Sequence, residues 1–359
     1  MKTITLLLLA AATGWAQQPT SAKVSNARIE TRATGGDLVR SFQALVATQN
    51  EAAWAGYTVP IVEGQGQHCC WNCNNGNCCS GCALESRDGS RDGAAFNSAV
   101  PAAPVKLEGP REMLVLFRMR LKAVEKIRTF TEDCQVDAGG LVVTLFTGVS
   151  AEQSVALLST FVVAPAEKDE RSRMDSAISA IGIHAGVAAD QALESFVAPS
   201  QPEVVRDKAS FWLGNARGQR GYLVLKRMSE TDPSDAVRDK VTFALSQSKE
   251  PAAMQTLIGM AKNDKAARVR SQALFWLAQK AGRNAIASID DAIANDPDTA
   301  VKKKAVFALS QLPKDDGVPK LIQVARSNGN PVVRKEAMFW LGQSKDQRAI
   351  AFFEEILAK

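Results

Sequence analysis

Apolar residues recur through the second half of the chain with a fixed period of 32. Val205-Arg206, Val237-Arg238, Val269-Arg270, Val301-Lys302 and Val333-Arg334 each open a segment of the form Val-basic-x-x-(Ala/Val)-x-Phe-(Trp/Ala)-Leu. In each copy the Val, the small residue four later and the (Trp/Ala)-Leu pair seven and eight later share one face of a 3.6-residue helix, which predicts a helix A. A short polar turn follows, Gly214-Asn215-Ala216-Arg217 in the first copy and Ser246-Gln247-Ser248-Lys249 in the second. A second apolar periodicity then appears at Tyr222/Leu225/Met228, Met254/Leu257/Met260, Ile286/Ile289/Ala292, Val318/Leu321/Val324 and Ile350/Phe353/Ile356, which predicts a helix B. Asp232, Asp264 and Asp296, with Asn328 at the fourth position, stand just before the next helix A, where a short side-chain oxygen caps free amides.

One such helix pair cannot bury its own apolar faces, whereas stacked copies form a continuous core. The expected fold is therefore mainly α: a right-handed α-solenoid spanning 141–359, with strict 32-residue repeats from 205. Arg173–Ile181 keeps Ala177 and Ile181 in register as a degenerate copy, and Ala151–Val163 reads as a further, out-of-register piece. The last helix B carries Glu354, Glu355 and Lys359, as a polar terminal cap.

Residues 17–140 follow another pattern and predict a small N-terminal Cys-rich α+β module. The polar stretch 17–36 reads as an arm, Asp37–Val46 has helical periodicity, and Trp54–Val62 is extended. Residues 84–110, rich in Gly, Ala, Ser, Asp and Pro, read as a linker. Residues 113–130 alternate with period two about Lys122-Ala123, the signature of a β-hairpin. A two-stranded hairpin is not stable alone, so it is expected to cap the solenoid's first helix.

The opening Val-Arg-x-x-Ala-x-x-(Ala)-Leu-Gly, the short turn and the Ala-rich second helix resemble HEAT-like repeats of the short, lyase-associated type, in a secreted bacterial form. The resemblance covers Val205 to Lys359 and implies an inter-repeat ladder built on the spacing of six in Asp232/Arg238 and Asp264/Arg270. The period is shorter than the roughly 40 residues of standard HEAT units, and Trp212, Trp276 and Trp340 replace the usual Ala in alternate copies. Fold follows from this resemblance more than function, because solenoids bind very different partners. A lyase-like action on a cofactor-bearing protein is also implied by the family, and it fits poorly with a secretion signal.

That signal is at the start of the chain. Met1-Lys2 precede an apolar run, Ile4 to Ala12, and Gly14 and Ala16 put small residues at the −3 and −1 positions of a cut after Ala16. The run is far short of the roughly 20 apolar residues that cross a membrane. Residues 1–16 are expected to be a cleaved signal peptide, giving a secreted or periplasmic protein without a membrane span. Net charge is +5 over 359 residues, too dilute for a dedicated nucleic-acid binder.

Six of the seven cysteines fall in His68-Cys69-Cys70-Trp71-Asn72-Cys73-Asn74-Asn75-Gly76-Asn77-Cys78-Cys79-Ser80-Gly81-Cys82. In an oxidising compartment, Cys69, Cys70, Cys73, Cys78, Cys79, Cys82 and the distant Cys134 are disulfide candidates, with connectivity left open. The alternative is a zinc site of Cys70, Cys73, Cys79 and Cys82, two Cys-x-x-Cys pairs with a short gap, or a thiol-redox site. The two histidines, His68 and His184, lack the third group a nucleophilic pair needs. Trp212, Trp276 and Trp340, spaced by 64, read either as core or as an aromatic ladder for a peptide or glycan. Amides Asn215, Gln247, Gln279, Gln311 and Gln343 occupy every inter-helix turn, where satisfying backbone groups accounts for them. Helix B has no charge ladder, and basic residues cluster only at Lys302-Lys303-Lys304. No catalytic residue and no cofactor is expected. The sequence points to a non-enzymatic extracytoplasmic scaffold for a protein or peptide partner, and alternatively to a solenoid docking arm that carries a metal or thiol-redox Cys module.

Overall fold

The computed structural model describes residues 24–66, 68–70, 81–85, 95–96 and 109–358. The expected signal peptide, Cys73, Cys78, Cys79 and most of the 84–110 linker lie outside the described residues. Ten elements precede the helical array: β1 (Val24–Ser25), β2 (Arg28–Ala33), α1 (Leu38–Thr48), β3 (Ala53–Pro60), β4 (Gly81–Ala83), β5 (Ala95–Phe96), β6 (Glu112–Arg120), β7 (Ala123–Thr131), β8 (Gln135–Asp137) and β9 (Val142–Thr147). They form a five-stranded sheet in the order β2-β9-β3-β6-β7 and a smaller sheet in the order β1-β8-β4-β5.

The hairpin closes where period two breaks. Leu121 and Lys122 both take positive φ, 51° and 61°, as a two-residue primed turn requires, and their amides donate to the carbonyls of Asn50 and Gln49 at 2.9 and 2.7 Å. The hairpin gains a third strand, β3, which runs antiparallel to β6 from Ala53↔Met119 to Pro60↔Glu112. Gly56 permits that approach, since a Cβ there would stand 2.2 Å from the Val115 carbonyl oxygen. The supposed arm is also partly ordered, because β2 pairs in parallel with β9 along its whole length.

Both faces of the large sheet are covered. Trp54, Leu114, Leu116, Phe130 and Val143 bury against the small sheet together with Cys70, Cys82 and Cys134. Tyr57, Val115, Phe117 and Phe146 bury on the opposite face with Phe42 of α1, whose ring centroid lies 4.7 Å from that of Phe117. Asp37 caps α1 by accepting from the Arg40 amide at 3.0 Å.

The helical array begins at α2 (Ala151–Ser159), ten residues past the boundary expected at 141, because the sheet runs on to Thr147. Val142–Thr147 bury Val143 and Phe146 on opposite faces and are taken into the sheet because β2 and β3 both offer an unpaired edge there. There follow α3 (Lys168–Ile183), α4 (Val187–Phe196), α5 (Glu203–Ala216), α6 (Gly218–Thr231), α7 (Asp235–Gln247), α8 (Pro251–Asn263), α9 (Ala267–Ala281), α10 (Ile286–Asn295), α11 (Thr299–Ser310), α12 (Lys314–Ser327), α13 (Pro331–Ser344) and α14 (Gln347–Leu357). Odd-numbered helices from α5 are the A helices and even-numbered ones the B helices. The A stripe is buried as the periodicity requires, with Val205, Val237, Val269, Val301 and Val333 all within 1% of complete burial. Ala177 and Ile181 of α3 join it as the degenerate copy.

The last helix departs from expectation. In α14 the buried residues are Ala349 and Phe352, whereas Ile350 is 46% and Leu357 84% exposed, so the terminal helix is not polar outside.

Sheet and array are one body at their junction. Ile61, just past β3, bridges His184, with Val62 donating to the Ile183 carbonyl and Ala185 to the Pro60 carbonyl, each at 2.9 Å. A single apolar cluster runs from Phe42 and Phe117 through Met174 and Ile178 to Phe352. The hairpin caps the array, as expected, but as part of a sheet.

Candidate functional site

The inter-repeat ladder exists, with a different pairing from the one the spacing of six implied. Arg206 pairs with Asp232 at 3.0 Å, Arg238 with Asp264 at 2.8 Å and Arg270 with Asp296 at 2.7 Å, each across 26 residues to the next turn. Spacing six instead joins a guanidinium to a backbone carbonyl: Arg238 donates to Asp232 O at 2.8 Å and Arg270 to Asp264 O at 2.9 Å. Each Asp also accepts the amide two residues on, at Ser234, Ala266 and Asp298, and so ties its own turn. Helix capping proper falls to Ser234, Asp298 and Asn330. These pairs are buried. Burial alone would raise the Asp264 carboxyl, but hydrogen bonds from Arg238 and the Ala266 amide outweigh it and hold the group below its ordinary value; Asp296 is held down in the same way by Arg270 and the Asp298 amide. The ladder ends at the fourth rung, where Lys302 and Asn328 stand in place of Arg and Asp and Lys302 turns to the Ala294 carbonyl at 2.8 Å.

Along the A helices the rings form one row. Phe211 stacks on Phe243 at 5.9 Å and Phe275 on Phe307 at 6.1 Å, while Trp276 lies 4.8 Å from Phe243 and Trp340 4.8 Å from Phe307. Trp212 is 9% exposed and packs on Gly182, where a Cβ would stand 2.3 Å from the indole. Trp276 and Trp340 are only half-buried and Phe339 is 53% exposed. The three tryptophans thus belong to the interface between repeats, and two of them also reach the surface. The amides stand four residues after each Phe, on the same helix face. Three of the five bond neighbouring side chains rather than helix ends: Gln279 donates to Gln311 at 3.3 Å, and Gln247 and Gln311 donate to the hydroxyls of Ser246 and Ser310.

A helices pack closely on one another, for a Cβ on Gly214 would lie 2.1 Å from the Ala244 carbonyl oxygen. B helices stand apart, leaving grooves of about 700 Å³ between α6 and α8 and about 520 Å³ between α8 and α10. Arg238 and Asp264 line the first.

In the sheet module Cys69 is at disulfide distance from Cys134, with Cα atoms 5.4 Å apart, and Cys70 from Cys82, at 5.2 Å. The first pair fastens the segment before β4 to the β7–β8 turn, a long-range link within the connectivity that the sequence left open. Two of the four residues in the zinc alternative, Cys70 and Cys82, are joined to each other; the other two lie outside the described residues. Arg128 places Nη2 at 3.8 Å from the Cys70 sulfur and 4.0 Å from the Cys82 sulfur. On the histidines, burial pushes both imidazoles below their ordinary pKa. His184 is fully buried at the junction, with Nδ1 2.7 Å from its neighbour's carbonyl at Ala185 and Nε2 without a partner, while Arg217 holds the His184 carbonyl at 2.8 Å and pairs with Asp190 at 2.6 Å. The sulfur beside His68, that of Cys69, is taken up in the bond to Cys134. No helix among the described residues is long and apolar enough to cross a membrane.

The HEAT repeat model matches residues 190–278 and 289–359. No curated protein matches the chain. Among solved structures, the Escherichia coli protein YibA is 26% identical over 47% of this chain, which spans 64% of that protein, with a TM-score of 0.33. The CpcE–CpcF complex of phycocyanin lyase from Nostoc sp. PCC7120 is 18% identical over 57% of this chain and 80% of that one, with a TM-score of 0.32. Kap95p, solved with RanGDP, is 17% identical over 54% of this chain and 30% of that one, with a TM-score of 0.35. Scores this low give none of the three a bearing on function. The matched stretch, the 32-residue period and the buried Arg–Asp ladder agree, and residues 190–359 of this chain are HEAT repeats.

Proposed function

We propose that the protein is an extracytoplasmic, non-enzymatic scaffold that holds a protein partner on its HEAT array. The half-exposed aromatic row on the A helices carries this reading. Rings that reach the surface in register, one repeat after another, supply contact area on a rigid support. Most charged groups of the array are by contrast consumed in ion pairs between repeats. The apolar run before Ala16 and the paired cysteines of the sheet module support an oxidising location. A pull-down with the mature chain from its own compartment tests the reading, together with N-terminal sequencing of the recovered protein. A defined partner and a new terminus at Gln17 are expected; recovery with Met1 intact from the cytoplasm would remove the extracytoplasmic part, and retention of no partner would remove the scaffold.

A second reading keeps the array as a docking arm and gives the Cys module thiol chemistry. One observation favours it: Arg128 lies beside both sulfurs of the Cys70–Cys82 pair, a cation in reach of the thiolates that reduction of the pair would release. Thiol counting and zinc analysis of the native protein decide between the two, with reactive thiols in 69–82 or bound zinc at one equivalent supporting the second.

A further inference from the structure

The aromatic row ends in a cavity. Between the α11–α12 turn and the end of α13 lies a space of about 180 Å³ whose floor is Leu309, Leu312, Val318 and Leu321, each at most 5% exposed, and whose wall is the Trp340 indole. An apolar cavity of about 150 Å³ accepts a benzene, so this one suits one apolar side chain. Its hydroxyls do not compete with that use: Ser310 and Ser344 already donate to the carbonyls of Phe307 and Leu341, both at 2.7 Å. Gln343 at the rim has no hydrogen-bond partner among the described residues, leaving a donor and an acceptor for the backbone of a bound chain.

The surroundings favour one sign of charge. Every nearby carboxylate is already paired: Glu336 with Lys303, Asp316 with Arg283, and both Asp315 and Asp346 with Arg348. Four exposed lysines are left without a carboxylate in ion-pair range: Lys314 on the rim, Lys345 just after Ser344, Lys335 one turn before Phe339, and Lys304 over the Phe307 ring at 5.7 Å. That ring touches Trp340. An anionic ligand would be drawn to this end of the array, and a cationic one repelled.

We propose that the cavity beside Trp340 is an anchor pocket for one apolar side chain of an extended, acidic peptide segment of the partner. The apolar side chain fills the space above Leu312 and Leu321, Gln343 bonds the peptide backbone, and the lysines meet acidic residues on either side of the anchor. This inference rests on the scaffold reading and adds to it the place and the chemistry of contact.

The test is fluorescence anisotropy of the full mature chain with a fluorescein-labelled probe, Gly-Ser-Glu-Asp-Leu-Glu-Asp-Ser-Gly. Matched probes carry Ser in place of Leu, or Lys in place of every acid. Saturable binding of the Leu probe is expected, with the Ser probe about tenfold weaker and the Lys probe unbound. Gln343→Ala should weaken binding about fivefold, the equivalent of one hydrogen bond. Lys314→Glu should weaken it about tenfold, and less at high salt. Both side chains are exposed, and the thermal midpoint of each variant confirms folding, which Trp340→Ala alone does not guarantee. No saturation at about millimolar probe, equal binding of the three probes, or unchanged binding by both variants overturns the pocket. So does self-association of the free protein that Lys314→Glu abolishes, since a second copy would then be the occupant. A chain that retains a partner in the pull-down but ignores the Leu probe loses the pocket and keeps the scaffold; one that binds the probe but retains no partner loses only the scaffold.

Discussion

The Arg238 guanidinium meets the Asp264 carboxylate edge to edge, Nε to Oδ2 at 2.8 Å and Nη2 to Oδ1 at 3.0 Å, with both side chains at most 4% exposed. Paired in this way, the two charges also fix the turns of adjacent repeats. Asp264→Asn leaves a buried guanidinium without its counter-charge, and a loss of about 3–5 kcal/mol is expected by urea denaturation. Arg206→Ala and Asp232→Ala should each lose a similar amount, and the double variant less than their sum.

The interrupted fourth rung makes the converse prediction. Lys302→Arg and Asn328→Asp separately should gain little, since the first keeps its charge but faces an amide at 328, and the second places a carboxylate on a rung whose lysine bonds the Ala294 carbonyl instead. Together they should show a favourable coupling of roughly 0.5–3 kcal/mol in a double-mutant cycle. A coupling of zero would mean that α11 and the turn at Asn328 do not sit as the three upper rungs do.

Stability should fall with pH in two separate windows. His184 is buried and neutral, held below its ordinary value first by burial and then by repulsion from Arg217, against the opposing pull of the Ala185 carbonyl and Glu152. The unfolded chain therefore binds a proton the folded one refuses, and stability present above about pH 6.5 is lost as pH falls below it. His68 is displaced in the same direction by burial, so His184→Asn should reduce the slope of the urea midpoint between about pH 6.5 and 5 without abolishing it. Asp264 and Asp296 are depressed carboxylates, whose contribution is complete above about pH 4 and is lost below it.

Gly182→Ala should cost about 1–3 kcal/mol, because the added carbon would stand 2.3 Å from the root of the Trp212 indole, which α5 holds in place. Trp212→Ala, which removes the crowding ring carbons, should cost less in the Gly182→Ala chain than in the parent chain, and thermal melts of the single and double variants read the coupling directly.

The two cysteine pairs should differ in weight. Cys69–Cys134 closes a separation of 65 residues and Cys70–Cys82 one of 12, which in the loop-entropy account correspond to about 4 and about 3 kcal/mol. Cys134→Ala is expected to lower the melting point of the sheet module more than Cys82→Ala.

The array was legible from sequence because each repeat states its helices in local periodicity, and Val205 to Val333 are buried where that periodicity put them. The sheet was not, since β2 and β9 are paired across more than a hundred residues and nothing local in Arg28–Ala33, exposed throughout, announces a partner. Arg238 and Asp264 were both visible as residues, but spacing along the chain favoured the nearer Asp232, and only the rise of one repeat over the next selects the partner at 26. The Trp340 pocket has no sequence signal of its own. It depends on where the α11–α12 turn lies against the end of α13.

The rings of the A helices also set the size of the unit that can be copied. Phe211 stacks on Phe243 and Phe275 on Phe307, with Trp276 seated between the two stacks and Trp340 against the far side of the second, so the row repeats every 64 residues although the backbone repeats every 32. Removing one 32-residue unit, such as 237–268, would deliver Trp276 to the layer next to Trp212, where an alanine now leaves room. Gain or loss of two units at once keeps large beside small, so the array can change length by genetic duplication or deletion in even steps without repacking.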